Sequence, residues 1–341
     1  MQEKSTMQSR DSSIDSIRSL GLFCVILAHV NPPFAIFQWR NFDVPLMVFL
    51  SGYLFGNRQV AIQGISGFMD YLWKRFVRLV IPVWVFILIY LVIQYFFPSY
   101  FRIYLWNAPS KIGSSFMLME DGIGYVWIIR VFLYIAVLGP IFKRFITTKG
   151  QLLAFYLAYE LLLLLAHHTF STAVFKTVNE SIFYSLGYLV FFLFGAQFKE
   201  WSVNAKRILA IILVAILVAG AIYDGYNGKI LTLQDFKYPP HAFYSYYAAL
   251  CIGIIFAFKV GIAKMGNSFL NFVGSSTIWI YLWHILFLQL IHFEAWYINY
   301  LLILGVSMLI TYLQQQLIEV IVRLSKASTA VAGQLRIIFC S

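Results

Sequence analysis

The chain has 341 residues, of which 61% are apolar and 11% charged, where soluble domains carry about 45–50% and about 25%. Its 25 basic and 14 acidic side chains cannot cover a soluble globule of this size, so the solvent for most of the chain is lipid. In such a chain a net charge of +11 reads as topology signals and anion contacts rather than as a nucleic-acid surface.

In chain order, ten stretches approach the roughly 20 apolar residues that a spanning helix needs: 14–30, 42–57, 71–97, 123–142, 151–167, 181–198, 207–223, 241–258, 272–292 and 298–322. Breakers separate them, among them Pro32-Pro33, Pro98, Pro109, Asp224-Gly225, Asn227-Gly228 and Pro239-Pro240. The expected fold class is therefore all-α: a polytopic integral membrane protein with about ten transmembrane helices. Residues 1–13 form an N-terminal tail, 14–322 a single transmembrane domain and 323–341 a C-terminal tail. The apolar run Leu20–Val30 has the length of a signal-peptide core, but no small-x-small cleavage site follows, so it reads as a retained first span. With the N-terminus in the cytoplasm, every cytoplasmic loop carries Lys or Arg. Only Arg40, Arg102, Lys111, Arg130, Lys176, Lys229 and Lys237 then fall on the other side. An even number of spans places both termini in the cytoplasm.

Ionisable groups inside spans need a partner, a wet cavity or a task. In the first span Arg18 and His29 share one helix face, because eleven residues make three turns plus about 20°, and they stand about 16 Å apart along the axis. Asp15 precedes Arg18 by three residues and is placed to pair with it. Two readings stay open: a snorkelling arginine with a histidine capping the helix end, or a functional pair. Asp43, at the start of the second span, is either a helix cap or a functional carboxylate. The third span opens Trp73-Lys74-Arg75-Phe76-Val77-Arg78, with Arg75 and Arg78 on one face. Cations there oppose the helix dipole unless an anion such as a phosphate binds between them. Topology or lipid head groups are the plainer reading, and suffice for Lys74 alone. Glu160 and His167-His168 on the fifth span are set aside, since the histidine pair lies at the end of the span and can be solvated. The ninth span carries His284 well inside the membrane, as a hydrogen-bonded structural residue or as part of a site. Cys24, Cys251 and Cys340 form no C-x-x-C pair and His29 has no second ligand at recognisable spacing, so no metal is expected.

Taken together, these segments resemble acyltransferase family 3, polytopic enzymes that acylate bacterial surface carbohydrates and similar acceptors. Arg18-x10-His29, within Ile14-Asp15-Ser16-Ile17-Arg18, resembles the family's first-span motif. Pro45-Leu46-Met47-Val48-Phe49-Leu50-Ser51-Gly52 resembles its second-span pattern, with Met47-Val48 where a double aromatic is usual. Arg75-x-x-Arg78 with Pro82 is similar to the basic motif of the third span. Tyr125-Val126-Trp127-Ile128-Ile129-Arg130 is similar to a tryptophan-centred segment in the fourth, and Tyr281-x-x-His284 to a pattern near the end.

The resemblance implies acyl transfer from a cytosolic acyl-CoA, commonly acetyl-CoA, to a hydroxyl of a surface carbohydrate or its lipid-linked precursor, in a bacterial inner membrane. The catalytic residues would be His29, Arg18 and Asp15: His29 as the base, a task that suits an imidazole, Arg18 ordering the pocket or meeting the pantetheine arm, and Asp15 pairing with Arg18. Lys74, Arg75 and Arg78 would hold the CoA phosphates. Ser51, Trp127, Arg130, Tyr281 and His284 would belong to a substrate or structural site. The competing class is a transporter or flippase for a lipid-linked sugar or small polar solute, which also needs many spans and membrane-embedded ions, although no inverted repeat is visible.

Overall fold

The computed structural model describes residues 11–57, 64–101, 104–325 and 328–340. Arg102 and residues 1–10 of the expected N-terminal tail lie outside them. Helix α1 (Ser12–Ala28) begins where the Asp11 carboxylate accepts the Ser13 N–H at 3.0 Å. It ends at His29, just before Asn31 turns left-handed at φ 51° and Pro32-Pro33 bars continuation. The short α2 (Phe34–Trp39) leads into α3 (Asp43–Asn57). Next comes α4 (Gly64–Phe96), which keeps Pro82 in its interior. A connecting segment with α5 (Pro109–Phe116) leads to α6 (Trp127–Phe145), and α7 (Lys149–Thr169) starts from a capping box between Thr148 and Gln151. A π-helical turn over Asn179–Phe183 joins α8 (Thr172–Val178) to α9 (Tyr184–Gln197), and α10 (Val203–Tyr226) follows. The second half comprises α11 (Ala242–Ala257), α12 (Lys259–Met265), α13 (Ser268–Ser275), α14 (Thr277–Leu290), α15 (Trp296–Leu324) and α16 (Thr329–Phe339).

Each of the ten expected stretches coincides with helix. By length and composition α4, α7, α10 and α15 can cross a membrane unaided, and two bent pairs, α11 with α12 and α13 with α14, raise the number to six. Helices α1, α3 and α9 have only 17, 15 and 14 residues. Length matters less for them because they are largely buried by other helices, so protein rather than lipid satisfies their ends. Helices α7 and α10 instead expose Leu153, Leu157, Leu161, Ile208, Ile211 and Ile222, the apolar surface that hydrocarbon covers. The chain is an all-α, multi-pass membrane protein.

The tightest packing joins α3 to α9. A Cβ on Gly52 would lie 1.9 Å from the Phe192 carbonyl oxygen, one on Gly56 2.3 Å from that of Ala196, and one on Gly195 2.2 Å from that of Phe49. Small residues let the two backbones touch, which is how helices gain van der Waals energy where no hydrophobic drive exists. Gly274 does the same between α13 and α1, with a Cβ there 2.2 Å from the Asp15 carbonyl oxygen.

The stretch expected as one span over 272–292 is broken. Helices α13 and α14 meet at 77°, and α11 and α12 at 63°. Irregular backbone is tolerated at membrane depth only where protein or a wet cavity takes up its polar groups. Here Arg18 Nη1 donates to the Gly274 carbonyl at 3.0 Å, and the Ser19 hydroxyl to that of Leu270 at 2.8 Å. On the other side of the break, Gln315 Nε2 of α15 donates to Ser276 Oγ at 2.8 Å.

Candidate active site

One cavity of about 1910 Å³ runs along α1 between two chemically different ends. The first is basic. Helix α4 contributes Lys74, Arg75 and Arg78, and Lys199, Lys259 and Arg336 join them, against Asp11, Asp70 and Glu319. The helix starts at Gly64, so these three cations sit in its interior and not at a helix start as the sequence suggested. Lys259 Nζ donates to Asp11 Oδ2 at 2.8 Å and Arg336 to Glu319 at 2.7 Å, so the two latches join α12 to the cap of α1 and α16 to α15. Burial disfavours charge on Asp11, but its hydrogen bonds from Lys259 and Ser13 outweigh that and hold its carboxyl below the usual range. The Arg75 guanidinium rests 5.2 Å from the Tyr71 ring centroid. Further along α1, Arg18 Nη1 donates to Asp15 Oδ1 at 2.9 Å as well as to Gly274, so the guanidinium is fixed by both its own helix and the broken one.

About 16 Å beyond Arg18 along the helix axis lies His29, the C-cap of α1. Its Nδ1 is 2.9 Å from Nε2 of His284, a fully buried residue of α14. His284 Nδ1 in turn contacts the Tyr281 carbonyl oxygen. A carbonyl only accepts, so His284 carries its proton on Nδ1 and offers the Nε2 lone pair. His29 must then donate from Nδ1, which leaves its Nε2 without a proton. Tyr125 packs edge-on against the His29 ring at 4.8 Å, and its carbonyl accepts the Tyr281 hydroxyl at 2.7 Å. Trp127, in the first turn of α6, lies 5.6 Å from Tyr238, and both line the cavity.

The structure thus brings most of the residues expected from the sequence to one cavity. Asp15, Arg18, His29, Ser51, Lys74, Arg75, Arg78, Trp127 and Tyr281 line it, and His284 backs it through His29. The Ser51 hydroxyl is engaged with the Met47 carbonyl of its own helix at 3.1 Å. Arg130 is not among the lining residues. Its buried guanidinium reaches the Glu180 carbonyl at 3.4 Å and so braces α6 against the π-helical turn. Glu160, set aside on the sequence, accepts the Ala242 N–H at 2.8 Å and stabilises the start of α11. Arg40, Lys237 and Tyr238 also line the cavity. Sequence reasoning passed over them, because a basic residue in a loop between spans has the same local signature whether it faces solvent or a cavity. Among the described residues no three His, Cys, Asp or Glu side chains gather as a metal-ligating group.

Comparison with curated proteins and with solved structures finds no match to this chain. A family model described as an acyltransferase domain matches residues 11–318, which takes in every cavity-lining residue except Glu319, Arg336, Ile337 and Cys340. With a match over that much of a chain built of membrane helices, the chain belongs to acyltransferase family 3 and is a membrane acyltransferase.

Proposed function

We propose that the protein transfers an acyl group, acetyl in the first instance, from acyl-CoA to a hydroxyl of a carbohydrate or its lipid-linked precursor, in a bacterial inner membrane. The observation that carries this reading is the His29–His284 pair at the far end of a cavity whose other end is basic. Arg75 and Arg78, with Lys74, suit the nucleotide phosphates, since guanidinium forks on one helix face match a multivalent anion. The long, thin pantetheine arm would pass Arg18 and bring the thioester to His29. There the unprotonated Nε2 takes the acceptor hydroxyl proton as the oxygen attacks the thioester carbon. The new C–O bond forms, the C–S bond breaks, and the proton passes from His29 to the departing thiolate. The products are an ester and free CoA thiol, with no external oxidant or reductant needed. His284 positions the base and accepts the hydrogen bond from its Nδ1–H throughout, which favours the imidazolium that forms during transfer.

The test is acceptor-dependent release of CoA thiol by the purified protein, read with a chromogenic thiol reagent. His29→Ala is expected to lower the rate by about 10²–10⁴-fold, as loss of a general base does, while acyl-CoA still binds. Retention of more than about a tenth of the wild-type rate would remove His29 from the role.

A further inference from the structure

At the histidine end of the cavity three charged side chains are withdrawn from water together. Arg40 and Asp43 are each 1% exposed and Lys237 is 4% exposed. Arg40 Nη1 donates to Asp43 Oδ2 at 2.8 Å, while Lys237 Nζ stands 3.8 Å from Asp43 Oδ1. That second oxygen already accepts the Val44 N–H at 2.8 Å. One carboxylate therefore answers two cations, and Arg40 Nε has no hydrogen-bond partner among the described residues. An uncompensated buried cation is strongly unfavourable unless an anion joins it. Burial pushes the Lys237 ammonium down to about 8; Asp43 opposes the shift and Arg40 adds to it. The local charge is short by one anion.

The loop that carries Lys237 is held from several sides. The Leu233 N–H donates to Gln38 Oε1 at 2.9 Å, Asn179 Nδ2 to the Tyr238 carbonyl at 3.3 Å, and the Tyr159 hydroxyl to the Pro240 carbonyl at 3.0 Å. Those bonds come from α2, the π-helical turn and α7, so the ammonium is fixed before any ligand arrives. Beside it the Tyr238 and Trp127 rings form an aromatic wall on the same cavity as His29.

We propose that Arg40 and Lys237 form an anion subsite for the acceptor, so that the molecule acylated here carries a carboxylate or phosphate group held by these cations, with its sugar ring against Trp127 and Tyr238 and its reacting hydroxyl at His29. The inference rests on the acyl-transfer reading above for the identity of the ligand, but not for the existence of the subsite. Asp43 then serves to keep Arg40 and Lys237 together when the acceptor is absent, and the acceptor's oxyanion completes the pairing.

The test uses the full chain in phosphatidylcholine nanodiscs, titrated calorimetrically with methyl β-glucoside, methyl β-glucuronide and methyl glucoside 6-phosphate. At least one charged glycoside is expected to bind about tenfold or more tightly than the neutral one, as a charge-assisted bond to a desolvated cation gives. Which one binds more tightly separates carboxylate from phosphate. Lys237→Met is expected to bring the ratio towards one, and Lys237→Arg to preserve it. Equal affinity for all three glycosides, no binding of the charged pair, or an unchanged preference in Lys237→Met overturns the proposal. If Lys237→Met does not fold, the wild-type ratio decides alone. Thiol release with the same glycosides is measured in parallel. Discriminating binding without any release leaves the anion subsite standing and removes the acyl-transfer reading; release without discrimination does the reverse.

Discussion

His284 shows how a residue far away in sequence can decide what a catalytic candidate does. It leaves His29 one proton arrangement, because the Tyr281 carbonyl orders His284 first. Replacing it tests that logic. His284→Ala is expected to cut acyl transfer about 10²-fold, comparable to losing an acid–base contribution, with donor affinity unchanged. His284→Gln is expected to recover part of the loss, since an amide oxygen can still accept from His29 Nδ1. A structural histidine alone predicts no such recovery, with both variants losing donor binding and transfer together. At the basic end, Arg75→Lys keeps charge but not the fork. It is expected to weaken acyl-CoA binding by roughly 1–2 kcal/mol without changing acceptor affinity, and equilibrium binding of labelled acetyl-CoA measures this. Unchanged binding in both Arg75→Lys and Arg78→Lys returns the pair to topology. The Arg18-x10-His29 face and the Asp15–Arg18 pair were legible because both obey helical periodicity. The partnership of His29 with His284 was not, since 255 residues separate them.

Between elements, the packing of α3 on α9 carries the heaviest constraint. The Ser51-Gly52 motif read from the sequence owes its glycine to the Phe192 carbonyl, which leaves no room for a methyl group. Gly52→Ala is expected to destabilise the protein by about 1–3 kcal/mol through forced separation of the helices, seen as a lower unfolding midpoint in detergent. Gly253→Ala is the control: nothing lies within 4 Å of a Cβ there, and alanine favours helix. Equal midpoints for Gly52→Ala and wild type would mean that the two backbones can part at no cost. The break between α13 and α14 falls within Gly274-Ser275-Ser276-Thr277, a breaker cluster that the reading of 272–292 as one span passed over. Side chains of α1 take two of the backbone carbonyls of α13, and such competition is visible only once the helices are adjacent.

For the molecule as a whole, the proposed route needs the basic end in the cytoplasm and His29 towards the opposite face. Single cysteines at Lys149 and Lys264 are then expected to react with a membrane-impermeant thiol reagent only from the cytoplasm, and those at Lys111 and Lys229 only from outside, with Cys24, Cys251 and Cys340 replaced. Labelling of Lys111 and Lys149 from one side would remove α6 as a crossing; inversion of all four would remove the cytosolic donor. The sequence by itself determined the solvent, the helical class, the ten apolar segments and the family, because burial in lipid writes long hydrophobic runs and motifs repeat local geometry. Tertiary structure alone decided that α1, α3 and α9 are inner helices too short to match a bilayer, that Arg130 braces rather than lines the cavity, and that Arg40, Asp43 and Lys237 share one buried cluster. Those outcomes depend on which charges meet across distant segments and on what removes them from water, and no local pattern in a chain encodes either.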